Sequence, residues 1–569
     1  MSYLDWGVFL LFIAYVVWDG VRRGSESRDL EGYFAGGRQI PWWAAGLSVM
    51  ATQASAITII GTTGQGHENG MEFVQTYLGL PLAMILLCIF FIPLYRKNPV
   101  LTAYEYLETR FGPETRTLAS LIFMVSRCLA FGVVLYAPGV VISAMTGLDL
   151  TITVVLIGAL TTSYTLFGGM RAVVWTDVKQ MAVIIGGLFL TLGILLYKIL
   201  PEFSLDGALT VLGAAGKLNA LELEPSSWNL WPAWKGSTAP ATFWEDRYNL
   251  WSGLFGGLFL MLSYFGCDQI QVQRYLSVKS ADDSRRTLLL SAYAKIPMQA
   301  LVLLLGVLLY LYNVMGEPPL LYNPIDREVA ATAQHFDRVA ELEVHYREVL
   351  AQQRELARQI AVADQVDDSL LRSYQETIRD VAATRSAARQ EVGAGGDTNY
   401  VYPHFILNEI PPVLLGLLIA AIFAAAMSSA DSALNSLTAA CIIDLYKRWL
   451  RPTASDRHSL RMSRIVTGFW GAAATYAALQ FEGGGSVIEL INRVGSFFYG
   501  SLLGVFAMAL LLPRAGRRAG FWGLLGGMAS VVLVHNLFRV EFLWYNVIGC
   551  FGVLGVGWVV SHFEAPAEL

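Results

Sequence analysis

What most constrains this chain is the recurrence of apolar blocks about 20 residues long, the length at which a helix crosses the hydrocarbon core of a bilayer. Blocks at 5–20, 42–64, 73–95, 118–145, 150–168 and 178–199 fill the first third of the sequence. Others follow near 248–267, 288–314, 407–445, 463–481, 486–512, 519–537 and 541–561. Counted in this way the chain holds about thirteen spans. Its 569 residues are 55% hydrophobic and only 15% charged, with a mean hydropathy of +0.48, whereas a soluble protein carries about 25% charged residues. The expected fold class is an all-α polytopic membrane protein, with the lipid bilayer as its first partner.

The net charge is −5, but its distribution is more informative than its sum. Arg22, Arg23, Arg28 and Arg38 follow the first block; Arg96, Lys97, Arg110 and Arg116 follow the third. Arg274, Lys279, Arg285 and Arg286, then Lys447 to Arg464, then Arg514, Arg517 and Arg518 repeat the pattern on alternate loops. Intervening loops such as "GHENGME" and "TGLDLT" carry almost none. Retention of Lys and Arg in the cytoplasm orients such a chain with its N-terminus outside and its C-terminus inside. Asp5 and Trp6 stand where a signal peptide has basic residues, so the first block reads as a retained span. The five cysteines lie in apolar segments without metal spacing, and the seven histidines are scattered. No metal-cluster or nucleic-acid function is expected. No N-x-S/T sequon occurs, which points to a bacterial inner (plasma) membrane.

Two regions depart from the apolar pattern. Residues 200–247 form a Trp-rich external loop, read as an interfacial belt. Residues 326–398 are charged and helical in period. Val339, Leu342, Tyr346, Val349, Leu356 and Ile360 keep a 3–4 spacing, and Leu371, Tyr374, Ile378 and Val381 resume it until the stripe fades at Arg385. With "ADQVDDS" as a turn, this reads as an extramembrane hairpin of two antiparallel helices packed through one narrow seam, a lid or spacer separable from the core. Whether it has a protein partner is open.

The stretch "FAAAMSSADSALNSLTAA" (423–440) asks why a helix in lipid carries Ser428, Ser429, Asp431, Ser432, Asn435 and Ser436 on about half of its circumference. Serines in such helices serve as packing residues bonded to the preceding turn. Clustered beside a carboxylate they equally suit a small hard cation, which takes several oxygen ligands. "GLSVMATQASAITIIGTTGQG" (46–66) is rich in Gly, Ala, Ser and Thr. Such residues allow close packing or a helix break whose freed carbonyls face an ion. Asp177, in "FGGMRAVVWTDVKQ", stands at the start of a span, where a capping role is the plainer alternative. Arg127 and Lys295 lie mid-span with few acidic residues near them in sequence. Each either snorkels or pairs with a carbonyl, or binds an anion.

"YFAGGRQIPWW", "LTAYEYLETRFG", "VLYAPGVVISAMTGLDL", "GGMRAVVWTDVKQ", "YFGCDQIQVQRYLSVKS" and "AAAMSSADSALNS", with "IIDLYK" after it, together resemble the sodium/solute symporter family from about residue 30 to 450, outside the 326–398 insert. Short runs are similar to the sodium–iodide, monocarboxylate and multivitamin branch, and the serine-rich helix also to the sodium–galactose branch. The resemblance implies a five-plus-five inverted repeat whose halves each begin with an interrupted helix. Residues 1–41 would be an extra span and loop, 42–199 the first repeat, 248–325 with 399–512 the second, and 513–569 two further spans. It implies a main sodium site of the Ala51, Ala54 and Ala425 carbonyls with the Ser428 and Ser429 hydroxyls. A second sodium position would involve Asp177, Ser428 and Ser432, with Asp431 where a hydroxyl is more usual. Solute contacts are implied at Gln53, Thr58, Tyr77, Tyr264, Phe265 and Lys295, with Arg127 as a candidate anion ligand. Tyr77 and Met261 replace the acid and amide of sugar-binding relatives, which argues against a hexose.

The expected function is a sodium-coupled symporter for a small polar organic solute, with a carboxylate favoured, and with sodium as coupling ion and no other cofactor. A sodium- or proton-coupled sugar or polyol carrier and a transporter-derived sensor are the alternatives. An enzyme is excluded, because no nucleophile–base or metal set occurs.

Overall fold

The computed structural model describes residues 2–24, 29–97, 100–332, 335–363, 365–480 and 487–564. Arg28, Asp364 of the hairpin turn and 481–486, which joins the apolar blocks 463–481 and 486–512, lie outside the described residues. Within them every regular element is a helix, and only two isolated β-bridges occur. This follows from the solvent: in lipid each backbone N–H and C=O must be satisfied within its own segment.

Nine helices are long and apolar enough to cross a membrane, and two bent pairs add two more: Trp42–Gln53 with Ala56–Asn69, bent by 56°, and Ser252–Gly266 with Gln269–Leu276, bent by 57°. The helix Leu150–Ile199 has 50 residues, about 75 Å of rise against a hydrocarbon core of about 30 Å. It breaks at Gly169, whose φ of 58° and ψ of −172° are not helical, so it supplies two spans. A Cβ at Gly169 would lie 2.8 Å from the Tyr33 carbonyl, so glycine serves both the turn and the close approach. Asp456–Leu479 is more polar, yet it buries Ser459, Ser463, Thr467, Gly471, Ala474 and Ala478 along one face. Such small-residue stripes let membrane helices approach closely. These additions bring the total to the thirteen spans expected. After Tyr3–Gly24 come five spans opened by the first bent pair and five opened by the second; Arg517–Leu537 and Leu543–Ser561 follow. Nearly equal bends at the head of each set of five are what an inverted repeat requires.

The expected Trp-rich loop is exposed at Trp228, Trp231 and Trp234. The hairpin is present as Phe336–Val362 and Asp368–Glu391, with Val339, Tyr346, Ile360 and Tyr374 buried as their spacing required. It also packs onto the membrane spans. Ala357, Ile360 and Tyr374 join the main apolar core. The Tyr374 and Tyr310 hydroxyls meet at 3.4 Å, and Gln353 Nε2 donates to Tyr310 at 3.3 Å, tying the insert to the span Ala281–Met315. Where the apolar stripe fades, Arg385 continues the contact by charge. It pairs with buried Asp397 at 2.9 Å and lies over the Tyr322 ring at 4.5 Å, while Arg389 takes the other Asp397 oxygen at 3.1 Å.

Tyr374→Ala should therefore lower stability by about 3 kcal/mol, and Tyr374→Phe by about 1 kcal/mol. Asp397→Asn, which leaves Arg385 buried beside no carboxylate, should cost about 3 kcal/mol. Thermal unfolding in detergent should show lowered midpoints, with Tyr374→Phe the mildest of the three, if the hairpin is part of the fold. Wild-type midpoints would leave the hairpin a separable spacer.

Candidate functional site

The first interruption is built from local sequence. Ala54 ends Trp42–Gln53 in a non-helical conformation (φ −83°, ψ 50°), and Ser55 caps the next half by accepting from Thr58 N at 3.3 Å. A helix end leaves its last carbonyls without intrahelical partners. Here the Gln53 carbonyl accepts from Thr58 Oγ1 at 2.7 Å and Lys295 Nζ at 3.2 Å, and the Thr52 carbonyl from Ser429 Oγ at 3.1 Å. Among the described residues no hydrogen bond reaches the Ala51 or Ala54 carbonyl. Across the gap runs the buried serine-rich helix Leu414–Ala439, where Ser429 Oγ also lies 3.2 Å from the Ala425 carbonyl. The structure thus brings the break and the Ala425, Ser428 and Ser429 turn together in a dry interior, with hard oxygen donors on both sides.

Beside the break is a cavity of about 140 Å³ lined by Gln53, Thr58, Tyr77, Arg127, Tyr264 and Lys295, as expected, and by Thr52, Ser55, Ser429, Asn492 and Tyr499. Ser429 therefore belongs to both regions. Lys295 is 1% exposed. Its ammonium meets the Gln53 carbonyl and the Tyr77 ring, 5.7 Å from the centroid, and among the described residues it has no ion pair. Two expectations change here. Phe265 is fully buried but does not line the cavity; its ring packs edge-on against Tyr264, at 5.2 Å between centroids, because neighbouring residues on a helix point about 100° apart. Arg127 does have an acidic partner: its guanidinium is shared by Asp268 and Tyr499. Only its Nε is buried without a hydrogen-bond partner.

Asp177 is not a helix cap. It lies fully buried and bonds Ser428, Ser48 at 2.5 Å and Arg274 at 3.3 Å. Asp431 accepts from the Tyr164 hydroxyl at 3.1 Å and lies beside Ser432. Arg274 donates to Ser432 as well. The sequence reading missed Asp268, Arg274 and Tyr499. Asp268 and Arg274 were present in "YFGCDQIQVQRYLSVKS", and Asp268 caps the second half of the second interrupted helix by accepting from Ile270 N at 2.9 Å. Nothing local marks Tyr499, which arrives from a span more than 220 residues away in sequence from the second interruption.

A model of the sodium:solute symporter family matches residues 33–341 and 380–527, leaving out most of the hairpin. The sodium/sialic acid symporter SiaT of Proteus mirabilis (strain HI4320) is 26% identical over 570 residues, covering 100% of this chain and 96% of that protein. The human sodium/iodide cotransporter is 26% identical over 535 residues, covering 92% of this chain and 68% of that one. A solved structure of a Na+-coupled sialic acid symporter in a substrate-bound outward-open state superposes with a TM-score of 0.75 at 25% identity, covering 100% of this chain and 99% of its own. These relatives are transporters and not enzymes. The chain belongs to the sodium:solute symporter family, and it is a sodium-coupled solute symporter.

Proposed function

We propose that this symporter imports a small polar organic solute bearing a carboxylate, by alternating access, down the inward sodium gradient. The observation that carries the reading is the Lys295 ammonium, buried against the cavity with a carbonyl and a ring for company and, among the described residues, no carboxylate. Arg127, the other cation of the lining, is already matched by Asp268. The lining therefore keeps one positive charge over, and a monovalent acid neutralises it. An ionisable group inside a bilayer is costly unless something of this kind accompanies it. Lys295 is the chief anchor, and the partnerless Arg127 Nε is a second donor within the same lining. Relatives named for sialic acid transport agree with an acidic solute.

In this reading sodium is bound by the Ala51, Ala54 and Ala425 carbonyls with the Ser428 and Ser429 hydroxyls. Among the described residues the Ala51 and Ala54 carbonyls accept no hydrogen bond, and oxygen donors of this type replace the water of a hard cation. Because Ser429 also lines the solute cavity, each ligand organises a group the other uses, and such mutual dependence is the thermodynamic content of coupling. The alternation of basic and uncharged loops supports a plasma-membrane topology with the N-terminus outside and the C-terminus in the cytoplasm. The hairpin then stands outside.

Ser429→Ala should raise the sodium concentration for half-maximal uptake into proteoliposomes severalfold, and Ser428→Ala at least as much. Unchanged sodium dependence would remove the serine-rich helix from the ion site. The solute class can be read by screening acids and their uncharged analogues for sodium-dependent thermal stabilisation, since a ligand of the native state raises its stability. Lys295→Met should weaken binding of the acid tenfold or more with sodium binding retained, and Arg127→Lys by a smaller factor. Stabilisation by uncharged solutes alone, or wild-type acid affinity in Lys295→Met, would overturn the carboxylate reading in favour of a sugar or polyol.

A further inference from the structure

A second cavity, of about 320 Å³, lies apart from the central one and is lined mainly by charged residues. The Trp-rich loop supplies Lys235 and Glu245, the turn between the last two spans supplies Arg539 and Glu541, and Val487–Leu511 supplies Arg493. Backbone bonds strap the loop to the turn: Lys235 N donates to the Leu537 carbonyl at 2.9 Å, Arg539 N to that of Ala233 at 2.8 Å and Glu541 N to that of Trp244 at 2.9 Å. The Trp234 and Phe538 rings meet beside the strap, 4.5 Å between centroids. Both carboxylates of the lining have partners, Glu245 in Arg539 and Glu541 in Arg247, each at 3.4 Å. Lys235 and Arg493 have no ion pair among the described residues. Arg539 Nη2 is fixed on the Ala239 and Pro240 carbonyls at 2.7 and 3.3 Å, while its Nε is buried without a hydrogen-bond partner among the described residues. Tyr545, also in the lining, gives its one hydroxyl proton to the Val540 carbonyl at 3.0 Å, so His535 Nδ1, 2.9 Å from that oxygen, donates to it. His535 Nε2 is then left as an acceptor.

We infer that this cavity is a second solute site, on the external face, for a small hydroxylated organic acid. The inference rests on the carboxylate reading and the topology proposed above. Three features carry it. The lining sets three cations against two carboxylates, and these carboxylates are engaged, so Lys235, Arg493 and the spare Arg539 Nε are the groups left for an anion. The space exceeds the central cavity of about 140 Å³, which admits an organic acid and is too roomy to strip and hold a single halide. His535 Nε2 and the lone pairs of Glu245 and Glu541 accept from hydroxyls, which an acid with alcohol groups supplies. The two linings also meet on one helix: Asn492 belongs to the central cavity and Arg493, the next residue, to this one. Tyr499 of the central lining follows about 9 Å along the same axis. A basic concavity there raises the local concentration of the acid beside the central site.

Saturation-transfer difference NMR of gluconate on the purified full chain in a non-ionic detergent tests this, with sorbitol as the uncharged analogue. Lys295→Met removes the central cation and should still bind gluconate, more weakly as salt is raised. Adding Lys235→Gln and Arg493→Gln to it should weaken that binding fivefold or more, and adding Arg493→Gln alone should give a smaller loss. Both residues are exposed, so these variants should keep the thermal midpoint of Lys295→Met; if the combined one does not, the Arg493→Gln addition decides. Sorbitol should bind far more weakly than gluconate. Gluconate binding that is present in wild type but absent from Lys295→Met overturns the external site and sustains the central carboxylate reading. Binding kept in Lys295→Met and lost with Lys235 and Arg493 supports the external site, whatever the central cavity takes. No gluconate binding in wild type, equal binding of sorbitol, or affinity unchanged without Lys235 and Arg493 overturns the external site. So does displacement of gluconate by far lower concentrations of chloride, or of glycerol phosphate as a lipid headgroup probe.

Discussion

The site depends on one constraint: a helix cannot stop inside lipid unless its freed backbone groups find new partners. At the first interruption the carbonyls of Thr52 and Gln53 are taken by Ser429, Thr58 and Lys295, and those of Ala51 and Ala54 accept no hydrogen bond among the described residues. At the second, Asp268 caps the new helix start and in the same position receives Arg127. Each break therefore recruits polar side chains from distant spans. Those recruits, the serine-rich helix, Lys295 and Arg127, are the groups on which the proposed ion and solute sites rest. The polar interior of this protein is a consequence of where its helices are broken.

A second theme is how the buried cations are matched. Arg127 and Arg274 each meet an aspartate, Asp268 and Asp177, and both of these pairs cross between spans. Burying such charges is expensive, and removing one partner leaves the other uncompensated. The pairs thus fix register among spans while contributing little net stability. Lys295 breaks the pattern, having among the described residues a carbonyl and an aromatic face but no carboxylate. This exception, beside a cavity and next to the helix break, is what the proposed carboxylate solute would match.

The hairpin shows how an insertion is accommodated without disturbing that core. The family model passes over 342–379, yet Ala357, Ile360 and Tyr374 pack into the common core. The insertion enters and leaves near the Arg385–Asp397 pair. Asp397 also accepts from the Tyr322 N–H at 2.9 Å, so charge and backbone pin the junction while the apolar face docks. The next residue, Thr398, donates to Glu68 at 2.6 Å, near the C-terminal end of Ala56–Asn69. The insert is thereby one bonded step from a helix that lines the cavity beside the first break.

Much was legible in the sequence because lipid enforces a strong pattern. Span length follows from bilayer thickness, the hairpin from its 3–4 spacing, and the oxygen-rich helix from serines clustered beside a carboxylate, while the small residues of 46–66 allowed a break and the pair of interrupted helices came from the family resemblance. Periodicity gives the face on which a residue lies, while Gln53, Thr58, Tyr77, Tyr264 and Lys295, which line the cavity, were singled out by the family resemblance. What lies opposite that face periodicity does not give. That Asp268 would face Arg127, that Arg274 would enter the cluster of Asp177 and Ser432, that Tyr374 would dock on Tyr310 and that Phe265 would turn away were decided by the packing of spans. Those partners stand from 64 to 158 residues apart, and only the crossing of helices in three dimensions selects which buried charge meets which.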